Sequence, residues 1–153
     1  MNVLEEIKQR LDEHSAAYDV LQHEPVFTSE EAAEVRGTPL SSGAKALVCK
    51  CDQEMVLFVM PADRRLAGKV VRRLYGWKKL RFATREEVDQ LTGLKPGSIP
   101  PFGSLFGLST YCDERLSENE TINFNAGRHE ISISMTYEDY VRVEQPTLET
   151  IAE

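Results

Sequence analysis

The chain of 153 residues carries 25 acids against 18 bases, a formal charge of −7, with 41% hydrophobic and 28% charged residues, values ordinary for a globular protein. That length is about one domain and can bury a core without disulfide or metal support, which excludes disordered, collagenous and coiled-coil classes. No apolar run approaches a membrane span and the acidic, amphipathic start is unlike a secretory leader, so a cytoplasmic protein with no membrane partner is expected.

In chain order, Leu4, Ile7 and Leu11 recur at helical spacing and predict an amphipathic helix over 2–16. Residues 18–22 read as a short strand. Thr28-Ser29-Glu30-Glu31 matches a capping box, in which the hydroxyl and the glutamate three residues on satisfy each other's free amides; it opens a helix through Val35 that Gly37 stops. After turn chemistry over 38–43, Ala44 to Cys51 and Met55 to Met60 read as two strands paired across Asp52-Gln53-Glu54. Asp63 predicts the start of a helix running to Tyr75, with Leu66, Val70 and Leu74 as its buried stripe and Arg65, Lys69, Arg72 and Arg73 on another face. A second capping box, Thr84 to Glu87, starts a helix ending at Gly93. Leu94 to Gly107, with three prolines and three glycines, reads as a loop. Strands over 121–125 and 130–135 and a helix over 136–143 complete the chain. The expected fold class is α/β, one domain over 1–153 with mixed strand order. No Gly-rich turn follows the first strand, which excludes a doubly wound dinucleotide fold.

The odd cysteine count (Cys49, Cys51, Cys112) argues against a disulfide framework, and with His14, His23 and His129 scattered the thiols read as core residues; neither metal nor cofactor is expected. The acidic sum hides a local excess of base. Nine of the 18 bases fall between Arg64 and Arg85, with no acid among them. A basic helix face there offers phosphate contacts, although such faces also occur on proteins that bind no nucleic acid.

Three segments exceed what packing needs. Lys45 enters an otherwise apolar strand, Gly43 to Val48, where its ammonium must either face solvent or reach into a cavity, since burying it unpaired costs several kcal/mol. Lys95-Pro96-Gly97-Ser98-Ile99-Pro100-Pro101-Phe102-Gly103 combines glycines that let backbone approach a ligand with prolines that fix the loop. Phe124-Asn125-Ala126-Gly127 ends a strand in a small-residue turn, with Ser132 and Ser134 close behind; a plain hairpin accounts for it as well as a binding edge does.

In this order the lysine strand, the Gly-x-x-Pro-Pro-Phe-Gly loop and the late Asn-Ala-Gly turn resemble the YbaK/prolyl-tRNA-synthetase-associated editing domain family, from about Leu11 to about Val143. The segments His23 to Thr28, Arg81 to Thr84 and Leu91 to Gly93 carry the resemblance further. It implies a mixed, partly barrel-like β-sheet core surrounded by helices. The activity it implies is a free-standing deacylase that hydrolyses the ester of mischarged tRNA, with alanine, serine, threonine or cysteine as the amino acid, no cofactor, and the tRNA acceptor end as partner; a synthetase is a further partner and DNA is not one. By position it assigns the catalytic role to Lys45. It assigns substrate binding to His23, Phe27, Thr28, Gly97, Ser98, Pro100, Pro101, Gly103, Asn125, Ala126, Gly127 and Ser132, and Arg65, Lys69, Arg72 and Arg73 are the residues expected to meet tRNA. Ala46 stands where several relatives have Asn or Thr, and Ser132 where many have an acid, which keeps open a non-catalytic module binding tRNA or a synthetase.

Overall fold

The computed structural model describes residues 2–153. Its helices are α1 (Val3–Glu13), α2 (Ser29–Arg36), α3 (Gly68–Tyr75), α4 (Arg85–Thr92) and α5 (Tyr137–Glu144). Its strands are β1 (Tyr18–Gln22), β2 (Ala44–Cys51), β3 (Glu54–Pro61), β4 (Leu80–Phe82), β5 (Ser109–Asp113), β6 (Thr121–Asn125), β7 (Ile131–Thr136) and β8 (Thr147–Glu149). They form two sheets: a three-stranded antiparallel one in the order β1-β7-β6, and a five-stranded mixed one in the order β4-β2-β3-β5-β8. A single parallel bridge, Gly43 to Asn123, ties the two together.

Residues from both sheets share one core. Val48, Leu57 and Val59 of the large sheet and Ile122, Phe124 and Ile133 of the small one are buried with Ile7 and Leu11 of α1 and Tyr140 of α5. The far face of the large sheet packs Cys49, Cys51, Val56, Phe58 and Met60 against Val71 of α3 and Ile151. The cysteines are therefore core thiols in free form, with burial pushing Cys49 and Cys112 up to about 12.

Both capping boxes form as the sequence predicts, with Thr28 and Glu31 closing α2 and Thr84 and Glu87 closing α4; Gly37 and Gly93 end these helices with left-handed φ of 69° and 71°. The helix expected from Asp63 does not begin there. Residues 65–67 pair instead with the end of the chain, Arg65 N–H donating to Glu153 O at 3.2 Å and Ala67 N–H to Ile151 O at 2.8 Å, so α3 starts only at Gly68. Its rotation then buries Val71 fully and leaves the expected core residues Val70 and Leu74 47% and 49% exposed, while Leu66 is half-buried outside the helix. Asp113 anchors the same tail, its carboxylate accepting from Ile151 N–H at 2.9 Å, Ala152 N–H at 2.8 Å and Arg115 Nε at 3.0 Å. The proline- and glycine-rich loop is irregular except for a 3-10 turn over Gly103–Phe106.

Candidate active site

Strand β4 covers β2 only at Cys49–Cys51, so it leaves the edge from Ala44 to Leu47 uncovered. Beside that edge lies a cleft of about 170 Å³. Helix α2 supplies one wall through Thr28, Ala32 and Arg36; β2 supplies Lys45 and Ala46; Gly97 and Ile99 of the loop and Asn125 at the end of β6 supply the rest. The lysine and the proline-glycine bend, more than fifty positions apart in sequence, therefore line one cavity.

Lys45 is half-buried and its ammonium donates to the carbonyl of Arg64. Burial lowers its pKa, against the pull of the Asp63 and Glu30 carboxylates, which favour the charged form. The loop is fastened at three points. Asn125 Nδ2 donates to Gly97 O at 2.7 Å, Gly127 N–H to Ser98 O at 2.9 Å, and the buried Tyr140 hydroxyl to Pro101 O at 2.6 Å. Gly97 adopts φ of 90°, a conformation that glycine takes without strain, and packs over His129, whose ring lies tilted by 39° against Phe27 at 4.8 Å between centroids.

Behind the α2 wall stands a polar network. Register places Asn125 of β6 opposite Ser132 of β7, so both side chains share a face. Arg36, in the last turn of α2, donates from Nε to Ser132 Oγ at 2.8 Å and from one terminal nitrogen, Nη2, to Asn125 Oδ1 at 2.9 Å. His23 closes the chain, Nε2 lying 2.8 Å from Ser132 Oγ and Nδ1 2.7 Å from Glu24 O. Burial pushes the Arg36 guanidinium down to about 10.

Of the residues expected from sequence, Lys45, Phe27, Thr28, Gly97 and Asn125 line the cleft. His23 and Ser132 stand behind Arg36 in the network, and Ser98, Pro100, Pro101, Gly103 and Ala126 are buried in loop and strand packing. The expectation that loop amides between Gly97 and Gly103 face a substrate is reduced by geometry. Ser98 N–H donates to Lys95 O, Gly103 N–H donates to Thr110 Oγ1, and Pro100 and Pro101 have no N–H. Gly127 packs on Val3. Among the bases expected to meet tRNA, Arg65, Lys69 and Arg73 are exposed, whereas Arg72 is half-buried and donates to Lys78 O at 3.2 Å. Sequence reasoning missed Arg36, which reads as an ordinary cation before a helix-stopping glycine, and His129, whose place under Gly97 depends on tertiary packing.

The cleft thus gathers two cations, Lys45 and Arg36, beside a fastened glycine-proline bend in a two-sheet α/β fold. The model of the aminoacyl-tRNA editing domain matches residues 23–143, and the chain belongs to that family. It is 37% identical over 143 residues to the multifunctional Ser/Thr-tRNA deacylase ProXp-y of Escherichia coli K12, covering 90% of this chain and 86% of that one. It is also 34% identical over 109 residues to a proline–tRNA ligase of Shouchella clausii, covering 69% of this chain but only 19% of the ligase. Among solved structures, a candidate trans-editing enzyme for prolyl tRNA synthetase superposes with a TM-score of 0.85 at 26% identity, covering 100% of this chain and 98% of the other.

Proposed function

We propose that this protein is a free-standing deacylase that hydrolyses the ester of mischarged tRNA and releases a small hydroxylated amino acid, serine or threonine. The observation that carries this reading is the meeting of Lys45 with the Gly97 bend in one cleft that has two cations on its walls and, among the described residues, no carboxylate. The fold family and the likeness to a Ser/Thr-tRNA deacylase support the same chemistry.

The ester is already activated, so holding it beside a water and stabilising developing charge suffice for turnover. Water adds to the carbonyl carbon, the carbonyl π pair moves to oxygen, and collapse of the tetrahedral species expels the ribose oxygen, which takes up the proton that the attacking water gives up. Lys45 holds the terminal phosphate. It bonds the backbone of the segment that leads through Arg64 to the exposed Arg65, Lys69 and Arg73, so a basic path runs from the cleft toward the acceptor stem. The small volume of the cleft suits a side chain of two or three heavy atoms. The likeness to a segment of a proline–tRNA ligase supports action in trans beside a synthetase, which co-sedimentation with prolyl-tRNA synthetase reads.

Incubation with alanyl-, seryl-, threonyl- and cysteinyl-tRNA tests the reading: the seryl and threonyl species lose their amino acid. Binding of tRNA with no release from any of the four establishes the non-catalytic module instead, and hydrolysis of small free esters with indifference to tRNA removes tRNA from the function.

A further inference from the structure

We propose that Arg36 supplies the oxyanion donor of this cleft, holding the carbonyl oxygen of the scissile ester through its second terminal nitrogen, Nη1, as negative charge develops there. The inference rests on the deacylase reading and adds to it a residue and an atom.

A guanidinium sunk in a cleft wall usually sits against a carboxylate, because an uncompensated buried charge is costly. Arg36 is bound instead by two neutral oxygens, Ser132 Oγ and Asn125 Oδ1, and no carboxylate among the described residues pairs with it. Its position in the last turn of α2, at the negative end of the helix dipole, offsets part of the cost. The charge is thus kept available to something that enters the cleft.

The network also fixes its direction. Nδ1 of His23 faces a carbonyl, which can only accept, so Nδ1 carries the proton and Nε2 accepts the Ser132 hydroxyl. Ser132 Oγ therefore turns a lone pair to Arg36 Nε, and Asn125 Oδ1 takes Nη2 because its own amide group is held by Gly97 O. With Nε and Nη2 committed, Nη1 remains. It lies on the side of Gly43, 3.8 Å from where a Cβ on that residue would stand, at a point that Ala62 Cβ and Leu40 O also border, and Arg36, Gly43 and Ala62 all line the cleft. Three other donors nearby are already engaged. Lys45 is bonded to Arg64 O on the side of the basic path, and the Ser98 and Gly103 amides are already paired.

In the addition step the carbonyl π pair moves to oxygen beside Nη1, and the bond weakens again when the ribose oxygen leaves. Arg36 neither gains nor loses a proton. Such a donor favours the tetrahedral species over the planar ester, which separates it from a group that merely binds substrate.

The test compares two unreactive analogues of 3′-seryl-adenosine: a planar neutral amide and a tetrahedral anionic phosphonate. In Arg36→Met the phosphonate is expected to bind about 100-fold more weakly while amide affinity changes less than about threefold, with a matching fall in kcat rather than a rise in KM for seryl-tRNA. Equal losses for both analogues, or a raised KM and a shallower salt dependence at unchanged kcat, would overturn the proposal by making Arg36 a general or phosphate contact. If Arg36→Met does not fold, Asn125→Ala frees Nη2 while keeping the charge; it must narrow the phosphonate preference, and an unchanged preference refutes the assignment. A wild-type protein that turns over no aminoacyl-tRNA defeats the deacylase reading, whereas the analogue contrast still decides the role of Arg36.

Discussion

The far end of the loop gives the sharpest structural prediction, because Gly103 has no room for a side chain. A Cβ there would stand 2.5 Å from Thr110 Oγ1, 2.9 Å from Leu108 O and 3.3 Å from Leu57 Cβ. None of these is the free end of a flexible chain. Leu108 is backbone whose N–H donates to Gly103 O at 2.9 Å, and Thr110 Oγ1 accepts Gly103 N–H at 3.0 Å while donating to Glu144 at 2.6 Å. Overpacking of this kind costs about 1–3 kcal/mol. If Thr110 turns away, the Gly103 amide or the nearly buried Glu144 carboxylate loses a partner, at about 1–3 kcal/mol more. The sum for Gly103→Ala is then about 4 kcal/mol, which at about 2–4 °C per kcal/mol for a chain of this size lowers Tm by roughly 10 °C. Thermal unfolding followed by circular dichroism, run on Gly103→Ala, Thr110→Ala and the double variant, reads it. Removing Thr110 Oγ1 removes the closest overlap, so the double variant is expected to lose at least about 1 kcal/mol less than the sum of the singles. A Gly103→Ala melt within about 2 °C of wild type, or strict additivity, refutes the reasoning.

Lys45→Ala is expected to raise KM for seryl-tRNA about 10-fold and to make its salt dependence shallower, with kcat and the unfolding midpoint unchanged, and an unchanged KM removes the ammonium from the phosphate contact. The pair Lys69→Glu and Arg73→Glu is expected to weaken tRNA binding and to lower the slope of log affinity against log salt by about 1–2, whereas an unchanged slope takes the α3 face out of the contact. Burial pushes the Asp113 carboxyl up, but its bonds from Arg115, Ala152 and Ile151 outweigh that and its pKa lies below the ordinary carboxylate value. A depressed folded value contributes stability that is present above the unfolded pKa and is lost as pH falls through the folded one, so Asp113→Asn should flatten the loss of stability below about pH 4 seen in denaturant titrations. Parallel wild-type and variant curves over that window count against the role given to Asp113.

The elements legible in the sequence were those whose cause is local. Each capping box needs only four consecutive residues, and β2 and β3 meet across a polar turn, so both helices α2 and α4 and this hairpin could be read residue by residue. Helix α3 shows the limit. Its spacing permits either Val70 and Leu74 or Val71 to face inward, and the choice falls to main-chain bonds between residues 65–67 and a tail more than eighty positions away. Strand β5 was hidden for a related reason: Thr110 and Asp113 are polar yet buried, because Glu144 and the tail amides satisfy them, and no hydrophobic period marks the strand.

The site divides along the same line. Lys45 stands out because an ammonium in an apolar strand conflicts with its surroundings, and the bend at Gly97 because no regular element tolerates so much proline and glycine. Arg36 conflicts with nothing nearby in sequence, since a cation before a helix-stopping glycine is ordinary helix chemistry. Its character arises only when the register of β6 on β7 sets Asn125 opposite Ser132, and when His23, just past β1, hydrogen-bonds the Ser132 hydroxyl. Three strands must therefore assemble before the guanidinium is held, and a serine at 132 is what makes this arrangement work. An acid at that position would pair with Arg36 and neutralise the charge that the cleft keeps free. Serine at 132 accepts from Arg36 Nε without cancelling its charge, which a carboxylate there would do.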